Sequence, residues 1–185
     1  RPAFVFQPVA ATEQRRLFAG PLLPRRLVRP GLLPVVPWIR GLRFQAVHAD
    51  DVGAALQAAL ESDAEGPFNL AADPVVDRTV MAEIMGAATV EVPPVAARGA
   101  AALAWHARLM PSEPALLDLV LSLPLMATNR ARRVLGWAPE HSSVDALRQA
   151  LHAMASGRGG ASAPLAADSV ARRMHELRTG AGQAP

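Results

Sequence analysis

RFQAVHADDVGAALQAAL, residues 43–60, reads as a strand running into a helix. Residues 43–47 suit the strand. Asp50 or Asp51 then stands where a helix N-cap belongs, since a short carboxylate accepts the free backbone N–H groups of a first turn. Beyond them Val52, Ala55, Leu56, Ala59 and Leu60 recur at the i, i+3, i+4, i+7, i+8 spacing of a helix packed on a sheet.

Upstream, the apolar run Ala3, Phe4, Val5 and Phe6 reads as a buried strand closed by Gln7 and Pro8. Residues 8–43 follow as an irregular stretch in which Pro21, Pro24, Pro30, Pro34 and Pro37 exclude a long helix beyond about Gly20. Long loops of this kind tend to be functional or mobile. Downstream, Gly66 and Pro67 break the pattern and Phe68, Asn69 and Leu70 read as a third strand. Asp77 or Thr79 caps a short helix ending near Gly86, and residues 90–92 suit an edge strand. A helix over 96–110 stops before Pro111, and Pro114 sits in the first turn of another that runs to about Leu123. Both are apolar around much of their circumference. Ser142 and Asp145 open a last helix whose apolar face is Val144, Leu147, Leu151 and Met154. The expected units are 1–155, a Gly-, Ser- and Ala-rich linker at 156–167, and a short helix and tail at 168–185.

At 185 residues and 51% hydrophobic composition, the chain is long enough to bury a core of ordinary size. With only 4% aromatic residues that core must be mainly Ala, Leu and Val, and base stacking is poorly provided for. The absence of cysteine excludes disulfides and thiolate chemistry and fits a reducing, cytoplasmic setting. Its uncharged stretches fall short of the ~18–20 residues that span a bilayer, so no membrane helix is expected. All 19 basic residues are arginine, and there is neither a lysine nor a tyrosine. Residues 1–43 hold eight arginines against Glu13 alone; such a basic segment suits first a solvated or internally paired surface and next a phosphate-bearing ligand, and no nucleic-acid partner is expected.

Four segments carry a resemblance to a known family. They are Arg1–Phe6 (RPAFVF), 43–52 (RFQAVHADDV), 66–71 (GPFNLA) and 129–139 (NRARRVLGWAP). In order and spacing they resemble the C-terminal half of extended short-chain dehydrogenase/reductases, the NAD-dependent epimerase/dehydratase type. The resemblance implies an α/β fold: the C-terminal part of a Rossmann-like fold with a few mainly parallel strands and a largely helical substrate lobe. It implies a small-molecule substrate and, in the full-length family, NAD or NADP. The family's Gly-rich dinucleotide turn is missing, as is its Tyr-x-x-x-Lys pair, which passes a proton while hydride moves. The expectation is therefore a substrate-binding portion inactive alone, needing an N-terminal half or a second copy. The alternative is a non-catalytic module that oligomerises through an exposed apolar face.

No residue is expected to be catalytic. On the resemblance, the substrate side takes Phe4, Gln7, Arg43 and His48, and Pro2 and Ala3 fall on the cofactor side. Phe4 stands where relatives place a substrate-facing Asn, and Gln7 where they place Gly, which hints at an apolar substrate face. Relatives carry a phosphate-binding Arg four residues before the His; here Phe44 holds that place and Arg43 precedes His48 by five. An offset of one reverses the face of a strand residue, which favours a surface role for Arg43.

His48, Asp50 and Asp51 are read as a capped helix start rather than a metal site, for want of further convergent ligands. His141, Ser142, Ser143 and Asp145 contain the letters of a hydrolase triad, but a local cluster lacks triad geometry and a helix cap is expected. Leu135, Gly136 and Trp137 suit a structural turn with the Trp over the core. Trp105 and His106 are assigned mainly to packing near the substrate lobe. His152 and His175 are assigned to solvent.

Overall fold

The computed structural model describes residues 1–20, 23–162, 165–167, 169, 174–175 and 178–180. The chain runs β1 (Phe4–Phe6), α1 (Ala11–Ala19), β2 (Val35–Ile39), β3 (Phe44–His48), α2 (Ala49–Leu60), β4 (Ala72–Val76), α3 (Arg78–Met85), β5 (Ala88–Val92), α4 (Pro94–His106), α5 (Ala115–Ser122), α6 (Asn129–Val134) and α7 (Ser143–Ser156). β3 is the middle of a three-stranded sheet, parallel to β1 and antiparallel to β4. β2 and β5 form a separate parallel pair. The mixed α/β, mainly parallel expectation holds.

Strand alternation separates two cores. In the β1–β3 register Phe4 lies opposite Ala46 and Phe6 opposite His48, so the even-numbered residues share a face. On that side Phe6, Ala46 and Val76 pack with Trp38, Ile84 and the α7 residues Ala146, Leu147, Ala150, Ala153 and Met154. On the other side Val47 packs with Ala55, Leu70, Ala131 and Trp137, joined by Ala3 and Val5. Ala46 and Val47 are both fully buried, which is why the middle strand reads as a continuous apolar run. Three of the six buried residues of α7, Ala146, Ala150 and Ala153, are alanines, and such small side chains let the helix lie close to the sheet. Its start is held as expected, with the Ser142 hydroxyl accepting from the Asp145 N–H.

The structure corrects several local readings. Residues 8–43 are not wholly irregular: they hold α1 and β2. Pro37 sits inside β2 because a strand with a single neighbour has an open edge where a missing N–H costs nothing. The expected strand at 68–70 shrinks to one bridge between Pro2 and Leu70, and pairing resumes two residues later as β4. The N-cap of α2 is His48, whose side chain accepts from the Asp50 N–H, not Asp50 or Asp51. The predicted stripe of α2 is also only partly covered: Ala55 is buried, whereas Leu56 and Leu60 are 60% and 88% exposed. α3 is capped by Asp77 and closed by Gly86 in the left-handed region, as read. The helix expected over 168–177 falls largely outside the described residues.

Candidate substrate site

Three phenylalanines on the even face of the sheet, Phe4, Phe6 and Phe44, floor a cavity of about 400 Å³. Phe18 of α1, Trp38 and Ile39 of β2, and Met81 of α3 form walls; Ala97 and Ala101 of α4 and Leu116, Leu117 and Val120 of α5 close it. The rings are locked edge to face. Phe4 meets Phe18 at 6.0 Å and 79°, and Phe44 at 5.5 Å and 84° between ring centroids and planes. Two of the lining polar groups point their hydrogens at backbone: Trp38 Nε1 donates to the Leu42 carbonyl at 3.2 Å and Ser112 Oγ to that of Leu17 at 2.5 Å. Glu113 is the single ionisable residue among the described residues lining the cavity.

A second cavity, of about 310 Å³, shares Phe4 and Phe44 as walls and adds Pro2, Ala3, Arg43, Gln45 and the segment 123–126. Gln45 builds its far wall. Its Nε2 donates to the Met126 carbonyl at 3.1 Å and its Oε1 accepts the Met126 N–H at 2.7 Å, a two-bond clamp on that segment. Arg43 is exposed and makes no hydrogen bond or ion pair within the described residues. The structure thus gathers Pro2, Ala3, Phe4 and Arg43 around one space.

It does not bring Gln7 or His48 there. Gln7 is extended at the far end of β1 and lines neither cavity. His48 is 5% exposed, its Nδ1 accepting from the Asp50 N–H at 3.3 Å and its ring stacked on His141 at 4.2 Å and 25°. Its buried Nε2 finds no partner among the described residues.

Sequence reasoning missed the walls that α4 and α5 supply, and it missed what Asp51 does. Asp51 is buried, and its carboxylate accepts the Glu140 N–H at 2.8 Å and the His141 N–H at 3.2 Å. The Trp137 indole donates to the Asp51 carbonyl at 2.8 Å. The start of α2 is thereby pinned to residues 137–141, and Gly136, at φ 62°, supplies the left-handed turn that delivers Trp137.

The remaining polar clusters are structural. Ser142 Oγ donates to Asp145 Oδ2 at 2.6 Å and Ser143 Oγ to the Pro74 carbonyl, so neither hydroxyl is given to the histidine that a triad needs. The Ser142 hydroxyl holds the Asp145 carboxyl below the ordinary value; desolvation opposes it, and the Ser142 backbone contact, Arg148 and His141 add to the lowering. Among the described residues no cluster of three His, Cys, Asp or Glu is placed to hold a metal ion. No described helix is long and apolar enough to cross a membrane. Trp105 is half-buried rather than core, in T-shaped contact with the exposed His106, and α4 buries no residue. His152 and His175 are exposed, as read.

No protein-family model and no curated protein matches this sequence. Among solved structures the chain is similar to gox2253, with 20% identity, a TM-score of 0.50, and coverage of 86% of this chain and 49% of that one. It is similar also to a short-chain dehydrogenase/reductase superfamily protein from Agrobacterium tumefaciens with bound NAD (18% identity, TM-score 0.48, 97% of this chain and 51% of that one). A third is UDP-glucuronic acid 4-epimerase from Bacillus cereus in complex with UDP-glucuronic acid and NAD (17% identity, TM-score 0.47, 84% and 44%). The likeness is one of fold, and the chain spans about half the length of each.

Proposed function

We propose that this chain is the substrate-binding portion of an NAD(P)-dependent epimerase-, dehydratase- or reductase-like protein, and that it is inactive alone. The observation that carries this reading is the pair of adjoining cavities divided by Phe4 and Phe44. The larger takes the substrate, with Phe4 at its floor. The smaller faces the cofactor: Pro2 and Ala3 form its apolar side, and Arg43, free of protein partners among the described residues, offers a guanidinium to a phosphate or carboxylate. Gln7 and His48 then support β1 and α2 rather than touching ligand.

NAD or NADP would supply hydride chemistry, bound chiefly by residues outside this chain, which has no Gly-rich dinucleotide turn. With neither tyrosine nor lysine, the chain also lacks the family's proton-transfer pair. A cysteine-free chain suits the cytoplasm.

A second reading, an oligomerising binding module, is favoured by the exposed Leu56 and Leu60 of α2 and Val95 and Leu103 of α4. Reading the DNA upstream of the Arg1 codon separates the two. An in-frame Gly-rich turn and Tyr-x-x-x-Lys are expected; a start codon at that point with neither motif would contradict the first reading.

A further inference from the structure

We infer that the larger cavity binds a neutral small molecule with an apolar body, and that Ala97 and Ala101 set how deep that body reaches. The sequence has five phenylalanines and three tryptophans, and five of those eight aromatics (Phe4, Phe6, Phe18, Phe44 and Trp38) line this one space. Rings gathered only to fill a core would close on one another. Phe6 and Trp38 belong to the core, but Phe4 meets Phe18 and Phe44 edge to face, and the lining side chains leave about 400 Å³ open, a volume within the range of about 300–1,000 Å³ usual for small-molecule sites.

Charge narrows the ligand class. None of the described arginines lines the cavity, although eight of the chain's 19 fall in residues 1–43, the stretch that supplies Phe4, Phe6, Phe18, Trp38, Ile39 and Leu42 to it. Among the described residues its one ionisable lining residue, Glu113, is exposed, and a carboxylate there repels an anionic headgroup. The Trp38 N–H and Ser112 hydroxyl are already donated to backbone carbonyls, so a strongly polar ligand would lose water without replacing its hydrogen bonds. A phosphorylated or carboxylated body is thus disfavoured inside this cavity.

Ala97 and Ala101 stand four residues apart on one face of α4 and are the smallest side chains lining the cavity. α4 buries no residue, so a larger side chain at either place takes ligand space without displacing core. Calling the ligand a substrate rests on the function proposed above; its binding does not.

The test is fluorescence titration with Nile red, a neutral apolar dye, followed by displacement with dodecan-1-ol and with dodecanoate. It is made on this chain and on the protein encoded by the whole reading frame. Saturable binding is expected in both, with the alcohol displacing dye at lower concentration than the carboxylate. A101F, checked for an unchanged circular dichroism spectrum and Tm, should weaken dye binding about tenfold, or ~1.4 kcal/mol. E113Q should narrow the gap between carboxylate and alcohol.

The inference is overturned if neither protein binds dye saturably, if folded A101F binds like the parent, or if dodecanoate competes as well as the alcohol. Binding by this chain but not by the longer protein also overturns it, because other parts of the polypeptide would then fill the cavity. NADH binding by the longer protein without dye binding would sink this inference and leave the proposed function standing. Dye binding without NADH binding would do the reverse.

Discussion

Asp51 joins segments 90 residues apart, and it does so with a buried carboxylate whose oxygens accept two backbone N–H groups. Removing a charged acceptor orphans both donors, so D51A should lower stability by about 2–3 kcal/mol, read as a fall in urea midpoint; D51N, which keeps one acceptor oxygen, should lose less. An unchanged midpoint would show that the latch carries no stability. At Ser142 the effect is local: S142A removes a cap and should cost about 1 kcal/mol in the same measurement.

The Asp145 carboxyl titrates lower folded than unfolded, chiefly through the Ser142 hydroxyl. Its stabilising contribution is therefore complete above the ordinary carboxylate range and is lost as pH falls through the folded value. Stability of the parent should drop on acidification, and D145N should flatten that part of the drop. The contrast explains what the sequence shows of each residue. Ser142 and Asp145 are three apart and their capping is visible in the letters, whereas the partners of Asp51 are settled only when the chain returns to it.

At the level of elements, the Gln45 clamp holds the segment 123–126 against β3. Q45A should speed hydrogen exchange at the Met126 amide and cost about 1 kcal/mol; equal protection in parent and variant would mean that the segment is held by other contacts. Elements made by local rules are legible: β1, β3, α3 and α7 stand within a residue or two of where alternation and caps put them. β2 was hidden because its pairing is remote, Val35 lying opposite Ala88, and because Pro37 reads as a breaker unless the open edge is known. The stripe of α2 reads as a fully buried face, yet at its C-terminal end the sheet offers no covering surface and leaves Leu56 and Leu60 in water. The cavity was half visible. The resemblance puts Phe4 on the substrate side, but the walls from α4 and α5 come from a segment whose all-round apolar pattern gives no direction.

On the scale of the molecule, apolar surface remains unpaired. Leu56, Leu60, Val95 and Leu103 are exposed by 60%, 88%, 83% and 74%, as in a body that normally meets another surface. The L56E/L60E double variant should change stability by no more than about 0.5 kcal/mol while reducing concentration-dependent association in sedimentation. A loss of stability without change in association would place those leucines in the fold rather than at a contact. The order of the four family-like segments makes the α/β fold class legible in the sequence, and gox2253, which the chain resembles in fold, is matched over 49% of its length. The measurement that bears most directly on the proposed function is calorimetric titration of NADH into this chain and into the protein encoded by the whole reading frame. The account predicts micromolar binding by the longer protein and none up to millimolar ligand by this chain. Micromolar binding by this chain alone, or none by the longer protein, would contradict it.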